Sequence, residues 1–169
     1  MARKSDLRDV NCSVAQALSV VGDAWTLMIL RCAFNGVRTY QAFRGQLDLS
    51  SSVLSEKLSA LVAEGVFERR ASAADKRSVE YRLTQKGFDL YPALIALMQW
   101  GEKWAPDPAQ CGPRMRLIER ASGEEIIGAR VLSAAGAPLQ AWDVRVERHG
   151  GATEAAEDRA ALEGAEKQA

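Results

Sequence analysis

The chain has 169 residues, 47% of them apolar, and its 22 Lys and Arg balance 22 Asp and Glu. That length accommodates one full domain with a small appendage, and a net charge of zero excludes a partner held by bulk charge alone. The balance is uneven along the chain: residues 1–104 carry 14 basic against 11 acidic side chains and residues 105–169 carry 8 against 11, so a local basic patch on the first part stays open.

Val14, Ala17, Leu18 and Val21 fall on one helical face, which predicts a short first helix ended by Gly22. Asp23 can cap a second helix, DAWTLMILRCAF, with Trp25, Ile29 and Cys32 on one side and Leu27, Leu30 and Phe34 on another. Apolar almost all round, it is expected to be the buried central helix. Asn35 and Gly36 stop it, and Thr39 can cap a third helix with Phe43 and Leu47 turned inward. Asp48 and Leu49 make a tight turn, and Ser50, Ser51 or Ser52 caps a fourth helix.

In that fourth helix Leu54, Leu58, Leu61 and Val62 share about one quadrant of the wheel, because each residue turns the chain by roughly 100°. The opposite face carries Ser52, Glu56, Ser59 and Ala63, with Lys57 on the flank. A helix buried on one side and trimmed to small polar groups on the other is suited to lie against a surface. Two short helices, a tight turn and this helix have helix-turn-helix spacing. Gly65 supplies a left-handed stop, and Val66 to Leu83 reads as strand, basic turn and strand, with Val79, Tyr81 and Leu83 alternating with Glu80 and Arg82.

A helix followed by a basic hairpin predicts a winged helix-turn-helix, the helix in a DNA major groove and the hairpin as wing. The candidate DNA-binding residues are Ser50, Ser51, Ser52, Ser55, Glu56, Lys57 and Ser59 on the helix, and Arg69, Arg70, Lys76 and Arg77 on the wing. Hydroxyls bond either bases or phosphate, so they leave the operator sequence open. The plainer alternatives are an ordinary amphipathic surface helix and a solvated charged turn.

Thr84 can cap a long helix running to Trp104 and bent at Pro92. Leu90, Leu94, Leu97 and Trp104 form one apolar seam on it, and Tyr91, Ile95 and Met98 a second. One seam serves the domain core. The other needs a partner, and a second copy of the same helix is the economical one.

After Pro106 and Pro108 the composition changes. RMRLIER and EEIIGARV predict a β-hairpin, and Trp142, Val144 and Val146 a third strand. The fold class is therefore mainly α (α+β): a winged helix-turn-helix with a long C-terminal dimerisation helix over 1–104 and a small β-rich extension over 105–149. Residues 150–169, rich in Ala and Glu without an aromatic residue, are expected to be a disordered tail.

Five stretches together closely resemble the HxlR-type family of bacterial winged-helix transcription regulators: Cys12 followed by SVAQAL, GDAWTLMILRCAFNGVRTYQAFRGQL, SSSVLSEKLSALVAEGVFERR, VEYRLTQKGFDL and ALMQWGEKW. They cover about 1–104 in order. The resemblance implies a homodimer joined by its N-terminal and long C-terminal helices, which adds Val14 and Leu18 to the interface, with paired recognition helices on an inverted-repeat operator. Some relatives use a cysteine at the position of Cys12 to sense oxidants or electrophiles, and a thiol near a helix N-terminus gains the thiolate character this requires. The alternative is a small buried interface residue. Beyond 105 only some members carry a β-rich extension, some with cysteines placed like a zinc ribbon; here only Cys111 stands there, so no metal is expected.

Cys12, Cys32 and Cys111 lack CxxC spacing, which argues against a disulfide framework or zinc site. With no exported leader and no 18-residue apolar run, a cytoplasmic location without membrane contact is expected. No triad, phosphate-cradling loop or ligand cluster points to an enzyme or a cofactor, and the adjacent Glu124 and Glu125 would face opposite sides of a strand. Trp25, Trp100, Trp104 and Trp142 leave open a small-molecule pocket between the central and C-terminal helices. The expected function is a DNA-binding transcriptional regulator, a repressor because a small dimer covers a promoter without an activation surface. Two alternatives remain: control by a small-molecule effector, and a winged-helix module that binds protein instead of DNA.

Overall fold

In the computed structural model, residues 7–72, 78–105 and 116–147 are described. The elements are α1 (Ser13–Val21), α2 (Ala24–Phe34), α3 (Tyr40–Gln46), α4 (Ser51–Ala63), β1 (Phe67–Ala71), β2 (Val79–Leu83), α5 (Gln85–Phe88) and α6 (Tyr91–Trp104), with one-turn 3₁₀ helices at Leu7–Asp9 and Ala141–Asp143. By packing the chain divides after Ala129 into two units. The expected boundary at 105 followed composition; residues 116–129 instead group with the helices.

Side-chain caps set the starts of α2 to α5, the last through Thr84, which accepts from the Gly87 N–H. Asp23 accepts from the Thr26 N–H, Thr39 from Ala42 and Ser50 from Val53, each satisfying an amide left without an intrahelical partner. At the other end of α4, Glu64 is the C-cap and Gly65 turns left-handed at φ 68°, a conformation that costs other residues about 1 kcal/mol or more. The core gathers Ile29, Leu30 and Cys32 of α2, Phe43 of α3, Leu54, Leu58 and Leu61 of α4, and Phe67, Tyr81 and Leu83 of the hairpin. Phe43, Phe67 and Tyr81 meet with ring centroids 6.3–6.5 Å apart.

β1 and β2 pair antiparallel, Phe67 opposite Leu83 and Ala71 opposite Val79. A one-residue bridge joins Thr39 to Glu80, and the Tyr81 N–H donates to the Arg38 carbonyl at 2.7 Å. The wing is thereby fixed to the start of α3.

Several expectations are corrected. α2 is not buried all round: Trp25 and Met28 are exposed while Ile29, Leu30 and Cys32 are buried. The long C-terminal helix is two helices with a break at Asp89–Leu90, and Pro92 lies in the first turn of α6, where its missing N–H removes no helical bond. It starts a helix instead of bending one. Val79 is exposed although it alternates with Tyr81 and Leu83, because it stands at the outer end of the hairpin, beyond the reach of the core.

The first hairpin of the extension is reduced to an Ile118–Glu125 bridge with two flanking bonds, Ile126 N–H to Leu117 O and Glu119 N–H to Glu124 O. Instead of further strand pairing, the Gln99 side-chain amide of α6 donates to the Ile127 carbonyl at 3.1 Å and accepts from the Ala129 N–H at 3.0 Å. The second unit holds a turn closed by a Leu132–Pro138 bridge and the short helix at Ala141. The expected third strand is absent among the described residues. Trp142, Val144 and Val146 are exposed, without the apolar cover that makes a strand worthwhile. Cys111, His149 and the tail from 150 lie outside the described residues.

Candidate nucleic-acid interface

Burial of Leu54, Leu58 and Leu61 fixes the rotation of α4, so Ser51, Ser52, Ser55, Glu56 and Ser59 are all exposed. Ser50 and Ser52 hydroxyls lie 3.1 Å apart at the helix start. The Tyr40 hydroxyl donates to the Ser51 carbonyl at 3.1 Å. Hydrogen bonding with Ser55 first, then Ser51, lowers the pKa of that phenol from its usual 10.0, with Arg44 adding to the effect. α3 thus grips the first turn of α4 through one aromatic side chain.

Lys57 sits differently from its serine neighbours. Its ammonium is 3.3 Å from Asp23, the cap of α2. Burial works to raise the Asp23 carboxyl, but the Thr26 N–H, Lys57 and the Thr26 hydroxyl outweigh it and hold the group below 3.8. The lysine therefore ties α4 to α2 on the flank of the exposed face.

On the wing, Arg69 and Arg70 point to opposite sides of β1, as adjacent strand residues must. Arg69 Nη2 donates to Ser59 Oγ at 3.4 Å, and its guanidinium lies 5.6 Å from the Tyr81 ring centroid. Arg70 pairs with Glu68 at 2.6 Å, and on the same face Arg82 pairs with Glu80 at 2.8 Å. The Ser72 hydroxyl and then Arg82 hold the Glu80 carboxyl below its usual range. Lys76 and Arg77 lie outside the described residues. A small polar helix face linked by an arginine to a charged hairpin is an arrangement that can contact backbone and groove together.

The HxlR-like helix-turn-helix model matches residues 20–109. The chain belongs to this family. It is 38% identical over 135 residues to the HTH-type transcriptional regulator Rv3095 of Mycobacterium tuberculosis, covering 80% of this chain and 84% of that one. It is also similar to the crystal structure of the transcription factor PA1607, with TM-score 0.76 and 37% identity over 85% of this chain and 99% of that one. The redox regulator HypR in its oxidized form matches 54% of this chain and 96% of its own at 28% identity, with TM-score 0.50. This HxlR-like protein is a transcriptional regulator with a helix-turn-helix domain, and the family and its relatives are not enzymes.

Other anticipated residues of the HxlR-like chain lie away from α4. Cys12 is exposed at the N-cap of α1, and Cys32 is fully buried in α2. Val14, Leu18, Leu97 and Trp104 are exposed at 65, 48, 54 and 64%, whereas Leu90 and Leu94 are half-buried against the core. Between α1, α2 and α6 runs an almost wholly apolar groove of about 350 Å³, bordered by Val14, Leu18, Leu94 and Leu97. Trp100, 61% exposed, belongs to the same helix and was not anticipated as an interface residue. Among the described residues no single helix is long and apolar enough to cross a membrane.

Tyr40, Asp23 and the contacts of Arg38 and Thr39 with β2 were also missed as parts of the site. Only the first two had a sequence signal: an aromatic residue opening a helix, and an acidic cap whose second role depends on Lys57, 34 positions later.

Proposed function

We propose that this regulator binds double-stranded DNA as a homodimer, each α4 entering a major groove of an inverted-repeat operator and each wing resting on the flanking backbone. The observation that carries this reading is the uncrowded polar face of α4 joined to the wing through Ser59 and Arg69. Ser52, Ser55, Glu56 and Ser59 are the residues for groove contact, with Ser50 and Ser51 at the phosphate-facing helix start. Arg69, Arg70, Lys76 and Arg77 serve the backbone, and Lys57 orients α4 through Asp23 as well as adding positive charge beside it.

The apolar groove and the exposed Val14, Leu18, Leu97 and Trp104 support pairing with a second copy, since a two-fold axis buries one such face against itself. Pairing sets the two reading helices about one DNA turn apart. The dimer acts in the cytoplasm and represses by covering promoter DNA. Cys12, exposed at a helix start in a chain similar to the redox regulator HypR, is the proposed oxidant sensor.

A gel shift against the promoter beside its own gene, titrated with salt, tests the central claim. Binding is expected to weaken steeply with salt. Lys76→Ala with Arg77→Ala should weaken it on all sequences and reduce the slope by about one unit per lost phosphate contact. A salt-independent complex, or none, would favour the protein-interaction alternative. For Cys12, peroxide, hypochlorite and a quinone are compared in wild type and Cys12→Ser; identical responses would remove the sensor.

A further inference from the structure

Beside the apolar groove, a cavity of about 460 Å³ lies between α2, α6 and the chain at Arg116–Leu117. Its walls include Met28 and Phe34 of α2 and Tyr91, Ile95 and Met98 of α6, and the Phe34 and Tyr91 rings meet at a tilt of 53° with centroids 4.9 Å apart. A volume of this size suits a small organic molecule. The decisive group is Arg31, whose side chain also lines the cavity. It is half-buried, and among the described residues its Nε is buried without an acceptor and its Nη2 has only the Cys32 sulfur at 3.5 Å. No carboxylate pairs with it among the described residues. The other cation at the cavity, Arg116, already pairs with Glu125 at 3.1 Å.

An arginine fork in apolar surroundings is costly to leave unmatched, and its geometry fits a planar carboxylate. From these surroundings we infer that the cavity is an effector site for a small aromatic monocarboxylate, its ring between Phe34, Tyr91 and the thioethers of Met28 and Met98, its carboxylate on Arg31. The methionines lend themselves to an aromatic edge. Asn35, at the end of α2 beside the cavity, offers a further amide.

The site also has a route to the rest of the molecule. Leu27, Leu94 and Leu97 border both this cavity and the apolar groove, so a ligand that alters the seating of α6 on α2 changes the face proposed to pair two copies. That regulatory half rests on the proposed dimeric DNA binding; ligand binding itself does not.

The two are separated by measuring ligand binding without DNA. Calorimetry of the full chain with 2-naphthoate, and with neutral 2-naphthalenemethanol of matched shape, should show the carboxylate binding at least about tenfold more tightly, as expected for a charge-assisted bond. Arg31→Met should erase that preference while the alcohol still binds, and Arg31→Lys should restore part of it. Met98→Trp, which fills the cavity from another helix, should abolish binding of both and keeps the test open if the Arg31 variants fold poorly. Equal affinity for acid and alcohol, no heat at millimolar 2-naphthoate, or binding unchanged in Met98→Trp would each overturn the site. With binding established, 2-naphthoate should shift operator affinity in wild type and not in Met98→Trp; an unchanged operator affinity would overturn the regulatory half alone.

Discussion

Asp23 caps α2 through the Thr26 N–H and pairs with Lys57 of α4, so one carboxylate joins the start of the central helix to α4. Replacing it with Ala should cost about 1 kcal/mol from the cap. Asn also caps, so Asp23→Asn should cost less and expose the charge contribution by itself. The folded carboxyl is held below its unfolded value of about 3.9. Its contribution is therefore complete above that value and is lost as pH falls through the lower folded one. Urea unfolding from pH 2.5 to 7 should show a shallower acid loss in Asp23→Asn than in wild type. Parallel curves would mean that the Asp23 charge, through its Thr26 and Lys57 contacts together, contributes nothing. A second residue-scale effect belongs to Leu58, fully buried at the centre of the core: Leu58→Ala should destabilise by about 2–5 kcal/mol in the same assay.

Among the elements, α6 departs most from the expectation of one long bent helix. With Pro92 in its first turn, Pro92→Ala should leave stability within about 1 kcal/mol of wild type, whereas removing a proline that kinked a continuous helix would straighten and lengthen it. Helical content by circular dichroism separates the two outcomes. The helices α2 to α4 were legible because each had a cap and a periodic stripe: Asp23, Thr39 and Ser50 fall where the sequence placed them, and Leu54, Leu58 and Leu61 all turn inward. The break before Tyr91 was not legible, since its cause is tertiary. Gly87 lies against the Val66 carbonyl and Leu83, where a Cβ would come within 2.5 Å and 2.8 Å of them, so α5 is seated on the hairpin before α6 begins. In the extension, alternation at Trp142, Val144 and Val146 imitated a strand with no neighbouring sheet to bury it. The real anchor there is Gln99. Gly128, at φ 92°, leaves space that its amide occupies, so Gly128→Ala should displace Gln99 and speed exchange of the Ala129 amide proton. Unchanged exchange would show that the segment stays in place without the clamp.

At the scale of the molecule, the apolar surface around α1 and α6 is the feature most exposed to a decisive measurement. Leu97 is the better probe of pairing than Leu94, because Leu94 also packs on the core while Leu97 is more than half exposed. Leu97→Glu should give a folded monomer by sedimentation, with operator affinity reduced by orders of magnitude because the two half-sites no longer bind as one. Full affinity from that monomer would end the dimeric reading. The acidic excess beyond residue 104 did not mark the site, and net charge hid it: the candidate residues on α4 and its cap are mostly neutral hydroxyls, whose grouping depends on the rotation of one helix.

The 3.4 Å bond between Arg69 and Ser59 ties a position proposed to select sequence to one proposed to supply charge. Any substitution at Ser59 that removes the hydroxyl also leaves the guanidinium held by the Tyr81 ring alone among its described contacts, and so looser on the wing. In a library searched for new operators, such variants would gain indiscriminate affinity together with altered preference. Retargeting this regulator therefore requires residues 59 and 69 to be varied as a pair, because either changed by itself confounds selectivity with stickiness.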